Sequence, residues 1–202
     1  MLQIGRLRAG RLLPTARGWS WARAQALSCS KKKQRARARG ATIHARLSGY
    51  GTDTHGIHMT KPDPGGRAAA MWSVLAGAGL QATQIGHLNA HGTTTLAGDI
   101  IETQAIKEVF GQHAKTLAIS STKSMYGHLM GATGAVQFIA SLLALRHGFA
   151  PPTIKPHRPD PECDLDCVPN GTRVDVHFEH VMSHCFAFGG SNAVLVASSA
   201  SA

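Results

Sequence analysis

Two histidines and a lysine stand out by residue type and spacing. His91 lies in Leu88-Asn89-Ala90-His91-Gly92-Thr93-Thr94-Thr95, just after the apolar run Ile85 to Leu88. A buried strand ending there would leave through a turn at Asn89 to Gly92. It would hand the imidazole to a loop carrying a glycine and three hydroxyls. A loop on a rigid strand can hold a side chain in the open, where it is able to react. The arrangement recurs in Ser120-Ser121-Thr122-Lys123-Ser124-Met125-Tyr126-Gly127-His128, after the short run Thr116 to Ile119, with Lys123 five residues before His128. A third stretch, Cys185 to Asn192, holds Gly189 and Gly190, which permit close backbone approach and present amide donors. A single histidine in a turn is more often a surface or packing residue. Two strand-exit imidazoles, an ammonium and a glycine turn are instead a set of proton carriers and donors able to converge at one sheet edge, where α/β proteins place their sites.

The elements that must position them follow from hydrophobic pattern. Ala97 to Phe110 has Ile101, Ala105 and Val109 at helical spacing, with Asp99 and Glu102 near its positive end. Leu129 to Leu145 reads as a helix buried on most sides. Gly131, Gly134 and Gln137 interrupt it, and it falls short of a membrane span. Ala68 to Ala78 is a short helix stopped by Gly79. Ala41 to Leu47 suits a strand, and Gly49 to Gly66 reads as loop. Pro151 to Ile154 is extended, and Pro156 to Asn170 is a long acidic loop. Val181 to Phe186 and Ala193 to Ala197 form a hairpin about the Gly189-Gly190 turn. Strands alternating with helices give an α/β domain.

Charge divides the 202 residues in two. Met1 to Arg39 holds 11 Lys and Arg and no acidic residue, leaving 10 basic against 11 acidic residues in the remainder. The net +10 is therefore a property of an arm, which argues against nucleic-acid binding by the domain itself. The arm, residues 1–39, offers few apolar positions to bury and is expected to be disordered. It has three readings: an organelle transit peptide, a basic tail touching nucleic acid or an anionic surface, or non-native sequence from a misplaced start or fusion. It has no uninterrupted apolar segment of a secretory signal. Cys29, Cys163, Cys167 and Cys185 form no Cys-x-x-Cys pair, so neither a zinc site nor a disulfide framework is indicated, and a reducing compartment is the default. That places the chain in the cytoplasm, or in a mitochondrion or plastid if the arm is a transit peptide. His55 and His58 have no third ligand in a clear position and read as packing or solvent-facing residues.

Several of these motifs together resemble the C-terminal half of a type II beta-ketoacyl-[acyl-carrier-protein] synthase, of the condensing-enzyme, thiolase-like family. They are Asn89 to Thr95, Ser121 to Met125 with Gly127-His128-Leu129, Pro151-Pro152-Thr153-Ile154, Asp160 to Asp166, and Phe186 with Phe188-Gly189-Gly190, in the family's order and spacing. The resemblance implies one thiolase-like half over residues 40–202: a mixed five-stranded sheet with helices on both faces. It also implies a decarboxylating condensation of malonyl-carrier with acyl-carrier in fatty acid biosynthesis. By position His91 and His128 would donate to the malonyl thioester oxygen, and Lys123 would support them. Thr93 and Thr95 would bind the phosphopantetheine arm. The Phe188-Gly189-Gly190 turn would give the Phe188 amide to the acyl oxyanion and let the Phe188 ring gate the pocket. No bound cofactor or metal is implied; phosphopantetheine enters on the substrate. The implied partners are acyl carrier protein and a Cys-bearing N-terminal half, and the family forms homodimers.

In the family the nucleophilic cysteine belongs to that N-terminal half, and none of the four cysteines here matches it. The resemblance therefore implies a domain inactive alone. Two other functions stay open: a non-catalytic carrier-binding or chain-length-setting partner of a ketosynthase, and nucleic-acid binding through the arm. The sequence departs from the family at four places. Gln137 stands where glutamate is favoured, Ala187 where glycine is, Tyr126 where a small threonine is usual, and His184-Cys185 replaces an Asn-Ser pair. If residue 187 needs positive φ, alanine costs about 1 kcal/mol or more. His91, His128 and Phe188 are expected to meet at one end of one sheet, the two rings within about 10 Å, since both must reach one oxygen.

Overall fold

The structure, a computed structural model, describes residues 2–4, 8–9, 24–25, 28–30, 33–154, 160–169 and 171–200. Five strands form one mixed sheet: β1 (Arg46–Thr54), β2 (Ile85–Asn89), β3 (Ala118–Ser120), β4 (His180–Phe186) and β5 (Ser191–Ser198), in the order β1-β5-β4-β2-β3. β2 is parallel to β3 and β4, whereas β5 is antiparallel to β4 and β1. Three helices of 15 residues pack on it: α1 (Pro64–Ala78), α2 (Leu96–Phe110) and α3 (Thr133–His147).

The helices divide between the two faces. Met71, Val74 and Leu75 of α1, with Ile106 and Val109 of α2, pack on Met182, Phe186, Val194 and Val196. Phe138, Leu142 and Leu145 of α3 cover Val181 and Ala197 on the opposite side, as the period-two alternation of strand side chains requires. Full burial of each large apolar side chain contributes roughly 1.5–3 kcal/mol. Among the described residues no helix is long and apolar enough to cross a membrane.

Local chemistry explains the ends of the helices. Asp63 caps α1 by accepting from the Gly66 N–H at 2.6 Å, Pro64 opens it, and Gly79 closes it at φ 66°. α3 starts at Thr133 rather than Leu129, because residues 130–132 form a 3₁₀ turn in which Met130 has φ 49°. The Thr133 hydroxyl accepts from the Leu129 N–H at 2.9 Å across that turn.

The expected strand Ala41 to Leu47 and the loop from Gly49 require correction. Residues 41–45 carry no regular structure, while β1 runs on to Thr54 through Gly49 and Gly51. Its length is set by β5, which pairs with it from Arg46–Ser198 to Thr54–Ser191. The glycines let α1 rest directly on the strand. A Cβ at Gly51 would lie 2.3 Å from the Ala70 carbonyl oxygen, and one at Gly49 would lie 2.8 Å from that of Val74.

In the basic arm, Leu2–Ile4 pairs with Ser28–Ser30, Arg8–Ala9 pairs with Ala24–Gln25, and Lys33–Ala38 is a short helix. The rest of the arm, on which its expected disorder also rests, lies outside the described residues, as do 155–159 and 170 of the acidic loop.

Candidate active site

Because β2, β3 and β4 run parallel, the chain leaves all three at the same edge, after Asn89, Ser120 and Phe186. His91 follows β2 and is 9% exposed. His128 follows β3 after a one-turn helix, Lys123–Tyr126. The two rings meet edge to face with centroids 5.8 Å apart. The Phe186 ring lies 5.6 Å from that of His91, at the point where β4 turns towards Phe188.

Each imidazole is oriented by a backbone amide. The Phe186 N–H donates to His91 Nδ1 at 3.3 Å, and the Met130 N–H donates to His128 Nδ1 at 3.0 Å. The Thr133 hydroxyl is a further 3.1 Å neighbour of His128 Nδ1. A ring nitrogen that accepts carries no proton, so each neutral ring holds its proton on Nε2. Burial, then Lys123, pushes His91 down to about 3; the same causes in the same order lower His128. The pair consists of neutral Nε2–H donors at ordinary pH.

Two buried side chains hold the loops from below. Glu102 Oε1 accepts from the His91 N–H at 2.8 Å and from His184 Nδ1 at 2.9 Å, and Oε2 accepts from the Gly92 N–H at 2.9 Å. Burial opposes its charge, but the His184 hydrogen bond and charge, with Arg67 and His91, hold the carboxyl well below the usual carboxylate range. Gln137 Oε1 accepts from Lys123 Nζ at 2.6 Å, while Nε2 donates to the Asn89 carbonyl at 2.7 Å and to that of His184 at 2.8 Å. Lys123 is 6% exposed, and burial pushes it down to about 8 against the pull of Glu102, Cys185 and Asp99. Asn89 adds a cross-tie. Its Nδ2 donates to the Gln137 carbonyl and Ser141 Oγ, and its Oδ1 accepts from the Thr122 N–H and hydroxyl.

The remaining expected site residues sit further out. Thr93 and Thr95 lie at the start of α2 with their hydroxyls 3.2 Å apart, and the Thr93 N–H donates to Asp99. Burial and Glu102 raise that carboxyl to about 6. Phe188 is 66% exposed in the β4–β5 turn. Gly189 and Gly190 follow at φ 73° and 74°, and the Gly189 N–H donates to the Met59 carbonyl. Ala187 is extended at φ −134°, so the anticipated cost of alanine there does not arise. Tyr126 turns its hydroxyl onto Thr122, 2.7 Å away.

Arg67 was not singled out by the sequence. It is 6% exposed, stacks over the Phe186 ring at 4.5 Å and donates to the Gly98 carbonyl. Its signal is that it is the one charged residue of α1. His184, noted only as a departure, proves to be the partner of Glu102. His58 Nδ1 caps its own turn by accepting from the Thr60 and Lys61 N–H groups. His55 lies between Asp53 and Asp63. Among the described residues no group of three or more His, Cys, Asp or Glu is placed to hold a metal. Burial raises the thiols of Cys163, Cys167 and Cys185, that of Cys167 to about 11.

Known proteins share this arrangement of elements. Residues 44–157 match the family described as beta-ketoacyl synthase, C-terminal domain. The 3-oxoacyl-[acyl-carrier-protein] synthase 2 of Coxiella burnetii is 48% identical over 162 residues, covering 79% of this chain and 39% of that protein. Its Staphylococcus aureus counterpart is 48% identical over 160 residues, 78% of this chain and 38% of that one. The ishigamide ketosynthase/chain length factor superposes with a TM-score of 0.82 at 38% identity, over 90% of this chain and 44% of that one. A type II polyketide acyl-carrier protein in complex with its ketosynthase gives a TM-score of 0.87 at 32% identity, over 90% and 45%. The chain thus spans about two-fifths of the length of the curated relatives it matches. With the motifs, the sheet and these matches in agreement, the chain belongs to the beta-ketoacyl synthase family, in the C-terminal domain of which its two imidazoles lie.

Proposed function

We propose that this chain supplies the decarboxylation half of a 3-oxoacyl-[acyl-carrier-protein] synthase site. The observation that carries the reading is the pair of neutral imidazoles 5.8 Å apart, each with Nδ1 capped by a backbone amide. Loss of carbon dioxide from a malonyl thioester places negative charge on the thioester oxygen as the enolate forms. His91 and His128 each direct an Nε2–H at that oxygen, and donors fixed in advance stabilise it without rearranging. Burial, and after it the charge of Lys123, keeps both rings unprotonated. Thr93 and Thr95 bind the phosphopantetheine arm of acyl carrier protein. The Phe188 amide and the Gly189-Gly190 turn receive the acyl thioester, with the Phe188 ring as a gate. The thiol that carries the acyl group comes from the part of the family length that this sequence does not span, and the chain works in the cytoplasm.

Decarboxylation needs the imidazoles but no thiol, which gives the test. The purified chain incubated with malonyl-carrier should release carbon dioxide slowly, leave acetyl-carrier and form no 3-oxoacyl product from added acyl-carrier. His91→Ala and His128→Ala should each lower the release by roughly 10²–10³-fold. A release rate equal in wild type and the double variant would sink the reading.

A second reading draws on the solved relatives. Two of them carry a chain length factor in their descriptions, one of these a ketosynthase in complex with that factor. On this reading the chain is a non-catalytic partner of a Cys-bearing ketosynthase, and Tyr126 and His184 reflect a site that no longer turns over. Stable co-purification with a ketosynthase, combined with no decarboxylation, would favour it.

A further inference from the structure

Gln137 makes more hydrogen bonds than any other side chain beneath the site. Its Nε2 faces four oxygens: the carbonyls of Asn89, His184 and Ala90 at 2.7, 2.8 and 3.1 Å, and Ser183 Oγ at 3.4 Å. Its Oε1 faces the Lys123 ammonium at 2.6 Å. The amide has one chemically sensible orientation, since turning it over would set NH₂ against an ammonium and C=O against carbonyls. Asn89 and Ala90 lead into His91, and His184 leads to Phe186, whose N–H caps His91. One neutral group on α3 therefore registers the lysine loop, the β2 exit and the β4 exit together.

Its neutrality matters as much as its reach. Among the described residues Gln137 is the hydrogen-bond partner of the Lys123 ammonium. The charged and titratable groups coupled to Lys123 through its charge are Glu102 and Asp99 from α2, Cys185 from β4, His91 from the β2 exit and His128 from its own loop, and among the described residues neither carboxylate forms an ion pair with it. A buried ammonium held by an amide loses no ion pair when it gives up its proton.

We infer that Gln137 is a positioning residue whose single neutral amide locks Lys123 to both strand exits and leaves Lys123 able to deprotonate without breaking a salt bridge. The inference rests on the decarboxylation reading for its meaning but not for its test. Glutamate, which the family favours at this position, would change the hydrogen bonding seen in this chain. One carboxylate oxygen would gain the ammonium, while the other would face the Asn89 and His184 carbonyls, acceptor against acceptor.

The experiment is an NMR titration of the whole chain labelled at the lysine Cε, with the Lys123 signal identified by its loss in Lys123→Arg. In wild type the Lys123 midpoint should lie near 8, a proton affinity more than about tenfold below an ordinary lysine. In Gln137→Glu it should rise at least about tenfold in proton affinity, with a lower melting temperature. A purely structural residue would lower the melting temperature without moving the midpoint. An unmoved midpoint in folded Gln137→Glu overturns the inference. If that variant does not fold, the wild-type midpoint decides alone: within about tenfold of an ordinary lysine overturns it, further below supports it. Decarboxylation can fail while the titration behaves as stated, and then only the functional reading falls. If carbon dioxide is released but the midpoint is ordinary, only this inference falls.

Discussion

Glu102 and Gln137 lie under the same loops, on different helices, and work in opposite ways. Glu102 is an ion that gathers donors: two backbone N–H groups at His91 and Gly92 and the ring of His184. Gln137 is neutral and gathers acceptors, while offering its one oxygen to an ammonium. The charged hub fixes the backbone that presents His91. The neutral hub fixes the spacing between that backbone and Lys123. A buried charge is tolerated where three donors surround it, and an amide serves where both signs of partner must be met at once.

The largest expected effect breaks the charged hub. Glu102→Ala orphans a buried N–H at His91, a partly buried one at Gly92 and a buried imidazole, and should cost about 3–5 kcal/mol in chemical denaturation. Gln137→Ala should cost less; a larger loss than Glu102→Ala would reverse the comparison. Next comes the acid limb. Burial pushes His87 and His91 down to about 3, so below their ordinary value near 6.5 the unfolded chain binds protons that the folded one refuses. Their contribution is complete above pH 6.5 and is lost as pH falls towards 3. Glu102, held low, adds to the same acid loss, whereas Asp99, raised to about 6, opposes it. His87 belongs to neither hub: it stacks on Phe178, with Nε2 3.0 Å from Ser120 Oγ. His87→Leu should therefore remove about 2–3 kcal/mol of the difference in unfolding free energy between pH 6.5 and 4.5. An unchanged acid limb in that variant would assign the whole loss to the charged hub and His91. The smallest effect lies above both hubs. Ala187 is extended, so Ala187→Gly should destabilise by no more than about 1 kcal/mol, through the freer unfolded chain. Stabilisation instead would mean that alanine strains the turn.

Much of this could be read from the residues. The strand exits at Asn89 and Ser120, the helix to Phe110, the terminal hairpin and the five-stranded sheet follow from apolar runs, capping residues and the family motifs. The failures share a cause. Gly49 and Gly51 look like loop residues because single-residue propensity cannot see a helix lying on the strand; only contact with Ala70 and Val74 gives those glycines a reason. The candidate site divides in the same way. His91, His128 and Lys123 advertise themselves by type and by following strands. The parts played by Gln137 and His184 depend on which atoms face them across the sheet edge, and a sequence position carries no such direction. Arg67 was legible in principle, as a lone charge on an apolar helix, but its partners Phe186 and Gly98 are remote in the chain.

The order of the strands also sets a timetable for synthesis. Of the five strands of this sheet β4 and β5 come last in sequence, yet they occupy its middle, between β1 and β2. On the ribosome, β1 waits without a partner in this sheet and β2 has only β3 beside it until the β4–β5 hairpin emerges. His91 is translated 95 residues before the Phe186 amide that fixes its tautomer. A nascent chain is thus committed to a long interval with open strand edges, the condition under which chaperones bind and aggregation competes. The tautomer of His91 becomes defined only when that hairpin arrives.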